Sequence, residues 1–298
     1  MCFYFLIITH LVDISNKLNI FKMCIHINEM GGDLMDKKRE EIIKLLPKEI
    51  RKLFMMSEID FSRLQEIRLR VNMPLIVVYG AKEYFISCPG KPVSEIKEAY
   101  RVTCQQIKEA MVYISSYSRY AFEDEIRQGF ITVEGGHRVG VAGRIIWDGG
   151  KIKSITYISF INIRISHEVI GCSDSVIGYL YNDDSFYNTL IISPPRCGKT
   201  TLLRDIVRSI ANGNAGSRGR TVGIVDERSE ISACHLGCPQ NNIGCRTDVL
   251  DGCPKSEGMM MLVRSMSPEI VAVDEIGSRE DAAAIDYVMN CGINIIAT

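Results

Sequence analysis

Ser193-Pro194-Pro195-Arg196-Cys197-Gly198-Lys199-Thr200 joins an apolar run, residues 190–193, to a helical stripe of Leu202, Leu203, Ile206, Val207 and Ile210 that Gly213 closes. The octet matches G-x-x-x-x-G-K-[ST] at every fixed position but the first, where Ser193 restricts φ at the turn entrance. A loop of this kind, between a buried strand and a helix N-terminus, wraps a phosphate with backbone N–H groups. Ser193, Pro194, Pro195, Arg196, Cys197, Gly198, Lys199, Thr200 and Thr201 are therefore the expected nucleotide-binding residues. In such loops the lysine reaches the β and γ phosphates and the hydroxyl ligates Mg2+, which assigns those roles to Lys199 and Thr200.

Downstream, short apolar runs at 221–225, 270–273 and 293–297 alternate with helical stripes at 199–212, 256–266 and 279–290. Continuous apolar runs separated by helices read as a parallel sheet covered on both faces. The run 270–273 ends in Asp274-Glu275; after a phosphate loop, the first carboxylate is placed to hold the Mg2+ shell and the second to orient or deprotonate the attacking water. The earlier run leads into Asp226-Glu227-Arg228-Ser229-Glu230, carboxylates at the C-terminal end of a strand, where open α/β sheets bind ligands. A solvated charged loop is the alternative there.

Upstream the reading changes to α+β. Strand-like runs at 67–71, 75–79, 84–86, 130–133, 138–142 and 152–155 surround helical stretches at 102–115 and 120–128. Residues 1–34 are apolar without periodicity, whereas Asp36 to Glu41 lead into Ile42, Ile43, Leu45 and Leu46 as a helix start does. The expected organisation is thus an extension over 1–34, with Met35 as the true start, an α+β domain over 35–172, and an α/β phosphate-loop domain over 173–298. With 46% apolar and 24% charged residues the composition is globular, and a net charge of −1 excludes the global electrostatic footprint of a nucleic-acid coat. The 11 cysteines have irregular spacing and read as reduced thiols; Cys234, His235, Cys238, Cys245 and Cys253 lack the paired C-x2-C knuckles of structural zinc sites. The apolar stretch 2–11 is about half the ~20 residues of a membrane span.

Three further stretches carry a resemblance: Arg246 to Lys255, Gly258-Met259-Met260-Met261-Leu262, and Arg264-Ser265-Met266-Ser267-Pro268-Glu269. With Arg68-Leu69-Arg70, Gly135-Gly136-His137-Arg138-Val139-Gly140 and Asn162-Ile163-Arg164-Ile165, the chain from Met35 onward resembles the stage III sporulation protein AA family of endospore-forming bacteria. The resemblance implies a RecA-like P-loop ATPase related to the traffic ATPases of type II and type IV secretion, using ATP and Mg2+. It makes Asp226 to Glu230 an acidic box, with Asp226 a metal ligand beside Thr200 and Asp274, and Glu227 and Glu230 catalytic carboxylates beside Glu275. It also implies that arginines of the first domain reach the nucleotide; Arg138 and Arg164 are the candidates, a structural ion pair being the alternative for an arginine on a strand. A cytoplasmic homo-hexamer acting on membrane-embedded sporulation channel proteins, without nucleic acid, is the implied setting. One departure stands out. The strand expected to lie between the Asp274 strand and the P-loop strand is the last in the chain, ending at Ala297-Thr298 without the family's histidine-containing motif, so a RecA-like domain incomplete at its C-terminal end is expected. A RecA-type nucleic-acid motor and a non-hydrolysing nucleotide-gated scaffold are the competing readings.

Overall fold

A computed structural model of the chain describes all residues except 1, 10–18, 27–32, 81, 117–122, 183–184, 196 and 214–216. The chain divides into two units: Met30–His167, and Glu168–Thr298 together with Met1–Glu29. The second begins the chain with an antiparallel pair, β1 (Cys2–Thr9) and β2 (Asn19–His26).

The unit Met30–His167 contains helices α1 (Asp33–Leu45) and α2 (Lys48–Met56), then strands β3 (Leu64–Arg70), β4 (Ile76–Tyr79), β5 (Lys82–Ile86) and β6 (Pro92–Val93). Helices α3 (Cys104–Ile114) and α4 (Glu123–Gln128) follow, and β7 (Phe130–Val133), β8 (His137–Asp148) and β9 (Lys151–Arg164) complete it. The strands form one antiparallel sheet, β6-β5-β4-β3-β9-β8-β7. Side chains alternate across it with the period of two that strands impose. Ile67, Leu69, Val77, Val139, Ile161 and Ile163 are buried in one core with Ile42 of α1, Phe54 of α2, Leu46 between them, and Ile107 and Met111 of α3. Arg68, Arg138 and Arg164, at the alternate positions, are only partly buried or exposed. Helix α3 starts where Thr103 and Gln106 close a reciprocal capping box. Of the helical stretch expected over 120–128, the part Glu123–Gln128 is helical and Tyr120 to Phe122 lie outside the described residues.

The second unit continues with a short hairpin, β10 (Tyr181–Asn182) and β11 (Ser185–Phe186), and then β12 (Thr189–Ile192), α5 (Lys199–Asn212), β13 (Val222–Asp226) and β14 (Thr247–Asp251). Helix α6 (Lys255–Ser265), β15 (Ile270–Val273), α7 (Arg279–Asn290) and β16 (Asn294–Ala297) end it. The sheet order is β14-β13-β15-β16-β12-β1-β2, parallel from β14 to β12. Strand β16 lies between the Asp274 strand β15 and the P-loop strand β12, which is the order of a RecA-like P-loop domain. Two apolar layers sandwich the sheet. Ile191, Ile224, Ile270 and Ile296 cluster with Leu203, Ile206 and Ile210 of α5. Val225, Val271, Val273 and Ile295 cluster with Met259 and Leu262 of α6 and Ile285 and Val288 of α7. Helix α6 sits close on β13 because residue 258 is glycine: a Cβ there would lie 2.5 Å from a methyl of Val225.

The division between units falls at His167–Glu168, a few residues before the boundary near Cys172 read from the sequence. The reason is a buried carboxylate: Asp205 of α5 accepts hydrogen bonds from Gly171 N (3.1 Å) and Ser173 N (2.7 Å), tying this stretch to the P-loop unit. Within residues 1–34, expected as an extension outside either domain, β1 pairs antiparallel with β12.

Candidate functional site

The P-loop strand ends at Ile192 and α5 begins at Lys199. Gly198, the N-cap, has φ 87°, a left-handed turn that glycine makes without Cβ strain. No side chain caps the helix, so its first N–H groups point outward and its dipole favours an anion. The Lys199 ammonium donates to the carbonyl oxygens of Ser193 (3.1 Å) and Pro194 (3.4 Å), spanning the loop it follows. Cys197 Sγ lies 3.7 Å from Pro195 O, and Thr201 O accepts from Cys172 Sγ at 3.8 Å. Arg196 lies outside the described residues.

Beyond the loop, Thr200 Oγ1 donates to Asp274 Oδ2 at 2.6 Å. The other oxygen of Asp274 accepts from Thr298 Oγ1, and Thr298 Oγ1 in turn accepts from Glu275 N at 2.9 Å. A hydroxyl and a carboxylate in contact are hard oxygen donors of the kind Mg2+ takes from the protein, with the remaining ligands coming from water and substrate phosphates. The residues fit the ion on that ground.

The acidic loop after β13 is built around Asp226, which is 2% exposed. Its Oδ1 accepts from Glu230 N at 2.8 Å, and its Oδ2 from Ile231 N at 3.0 Å, Ser232 N at 2.8 Å and Ser232 Oγ at 2.5 Å. Asp226, expected as a metal ligand, thus spends both oxygens on its own loop. From the other side Arg204 of α5, 9% exposed, donates to Ile231 O and Glu230 O, both at 2.6 Å. Burial lowers the pKa of this guanidinium, and the nearby charges of Glu168 and Asp226 oppose that shift.

Asp226, Glu227, Arg228, Glu230, Lys255, Asp274 and Glu275 line one cleft, across which Glu227 and Glu275 are paired. Glu275 accepts from Arg228 at 2.6 Å, and Glu227 pairs with Lys255. Ser229 Oγ donates to Asp251 Oδ1 at 2.5 Å; burial raises the pKa of Asp251, and Asp226 adds to the shift. Ser229 (φ 51°) and Glu275 (φ 53°) both hold left-handed backbone, strain that persists where surrounding structure over-determines it. Arg204, Lys255 and Asp251 were not singled out by sequence. The available signal was Arg204-Asp205 itself, two charges inside the apolar stripe of α5.

Arg138 and Arg164 belong to the other unit. They face each other across β8 and β9, and Glu66 is opposite Arg164 on the other side. The Arg138 guanidinium carbon lies 3.7 Å from the Phe130 ring centroid. Like charges placed directly opposite in a sheet are destabilising, and Glu66 beside Arg164 and the Phe130 ring beside Arg138 offset that.

A family model described as "Sporulation stage III, protein AA" matches residues 36–298. The chain belongs to the stage III sporulation protein AA family. It is 40% identical over 259 residues to the stage III sporulation protein AA of Bacillus subtilis (strain 168), covering 87% of this chain and 80% of that one. An uncharacterized protein ycf45 of Cyanidium caldarium is 32% identical over 153 residues, 50% of this chain and 41% of the relative. Among solved structures, the Legionella pneumophila ATPase DotB aligns with a TM-score of 0.49 at 13% identity, over 92% of this chain and 67% of that one. The pilus retraction motor PilT with bound ADP aligns with a TM-score of 0.49 at 15% identity, over 79% and 62%. In this member of the sporulation family, the parallel sheet, the P-loop and the two carboxylate clusters occupy one unit, and the candidate arginines the other.

Proposed function

We propose that this sporulation protein hydrolyses ATP with Mg2+ at the mouth of its P-loop. The observation that carries the reading is the 2.6 Å contact between Thr200 Oγ1 and Asp274 Oδ2, which brings together two oxygen donors 74 residues apart in the chain. Thr200 and Asp274 would hold the ion, which when bound supplies positive charge against the phosphoryl oxygens. The N–H groups of α5 and the Lys199 ammonium bind the phosphates, with Lys199 turning from the Ser193 and Pro194 carbonyls toward the substrate. Glu275, next to Asp274, orients the attacking water and takes its proton once it parts from Arg228. That pair is exposed on both sides, and such pairs are worth only about 0.2–1 kcal/mol, so substrate binding can separate it.

Glu227 and Glu230 are proposed as further carboxylates around the water, while Asp226 acts by holding their loop. Arg138 and Arg164 are proposed to place guanidinium charge on the nucleotide within a homo-hexamer. The B. subtilis relative is named for sporulation, which supports a mother-cell ATPase that energises a channel of membrane-embedded sporulation proteins from the cytoplasmic side. Among the described residues no helix is long and apolar enough to cross a membrane.

The test is nucleotide binding. Lys199→Ala should lose binding of a fluorescent ATP analogue in the presence of Mg2+; a variant that binds as tightly as the wild type contradicts the reading.

A further inference from the structure

The β8–β9 ribbon outruns the sheet that holds it. Strand β7 accompanies β8 only as far as Gly140, and β3 accompanies β9 only from Phe160 onward. From the pair Arg144–Thr156 to the pair Asp148–Lys151 the two strands pair only with each other among the described strands. Helix α4 supports the ribbon from one side, where Arg127 Nε donates to Lys153 O at 2.8 Å.

A ribbon projecting into water is expected to be polar at its end, because exposed apolar strand edges invite aggregation. This one is not. Trp147 is 65% exposed and lies opposite Ile152, 38% exposed, with Ile145 at 38% and Ile146 at 40%. By alternation Ile145 and Trp147 share one face, with Ile152 opposite Trp147, whereas Ile146 lies on the other among Arg144, Asp148 and Ser154, so one face of the ribbon behind the turn is apolar. Trp147 is also the chain's one tryptophan. Around it, residues 144–153 carry Arg144, Lys151 and Lys153 against the single carboxylate Asp148; Asp148 pairs with Lys153 at 3.0 Å, which leaves Arg144 and Lys151 as the excess positive charge.

Area and charge select the occupant. The four apolar side chains offer roughly 350 Å² of exposed surface, against about 800 Å² per partner in a stable protein interface. A narrow convex tip with a tryptophan and a cationic surround is what a bilayer headgroup region accommodates: the indole sits at the apolar–polar boundary and the cations meet anionic lipid. We propose that the tip of the β8–β9 ribbon is a membrane-contact element that inserts Trp147 and its neighbouring isoleucines into the surface of an anionic bilayer. This does not depend on ATP hydrolysis.

The lone tryptophan makes the test direct. With vesicles of phosphatidylglycerol, Trp147 emission should shift to the blue and the protein should sediment with the lipid; phosphatidylcholine vesicles should produce neither effect, and added salt should weaken both. Trp147→Ser with Ile152→Ser should reduce sedimentation at least about tenfold while leaving ATP-analogue binding unchanged, since the changes lie on exposed side chains of the other unit. Emission that stays at its lipid-free wavelength with phosphatidylglycerol overturns the proposal. So does an equal response to both lipids, a doubly substituted chain that sediments like the wild type, or a blue shift that follows protein concentration without lipid, which would mean that another copy covers the tip.

Discussion

Glu275 carries a conflict in miniature: it is the carboxylate placed to activate water, yet it is bonded to Arg228 at 2.6 Å and held at φ 53°. If Arg228 holds it back before substrate arrives, Arg228→Ala should raise basal ATP turnover, and an exposed pair sets the limit at up to about fivefold. A fall in turnover would instead make Arg228 part of the catalytic machinery. Lys199, Thr200, Asp274 and Glu275 could be singled out from the sequence because the proposed chemistry depends on a local pattern next to a strand end, and the structure puts Thr200 in contact with Asp274. The hydrogen bonds that Asp226 accepts were not legible, since the number of N–H groups its carboxylate takes depends on how the following residues turn back. Arg204 was hidden for a related reason: the carbonyls it holds are 26 and 27 residues away.

Among the elements, the helices of the P-loop unit and its buried strands were legible because long amphipathic stripes and continuous apolar runs are the strongest periodic signals. Strand β14 was not, because it is an edge strand in which Thr247, Val249 and Leu250 are only half-buried and two aspartates interrupt the apolar run. Strand β9 is 14 residues long where only 152–155 was expected, since its later residues read as family motif before they read as strand. Helix α5 shows how an element joins distant parts. Burial pushes the Asp205 carboxyl up, but hydrogen bonds from Arg208, Ser173 and Gly171 outweigh it and hold the pKa below the ordinary value. Its contribution to stability is therefore fully present above the ordinary value of 3.8 and is lost as pH falls below that through the folded value. Acid unfolding of Asp205→Asn should accordingly be less steep than that of the wild type below this pH. Parallel acid curves for the two proteins would show that Asp205 does not titrate with unfolding.

For the molecule as a whole, the proposal that Arg138 and Arg164 serve the nucleotide makes a prediction about assembly. If arginines of one copy serve the P-loop of another, Lys199→Ala supplies intact arginines, and a chain with Arg138→Ala and Arg164→Ala supplies an intact P-loop. Each should be inactive alone, and mixing them should recover part of the wild-type turnover. No recovery at any ratio would confine the arginines to their own chain or to a structural role.

The central claim is that Glu275 activates water beside a nucleotide that Lys199, Thr200 and Asp274 hold. Phosphate release from Mg-ATP, followed for the wild type and Glu275→Gln with ATP binding measured on the same samples, tests it most directly. Release by the wild type, unchanged binding by the variant and a loss of its turnover of at least about a hundredfold are expected. Equal turnover by the two proteins, or a wild type that binds Mg-ATP without releasing phosphate, would contradict it.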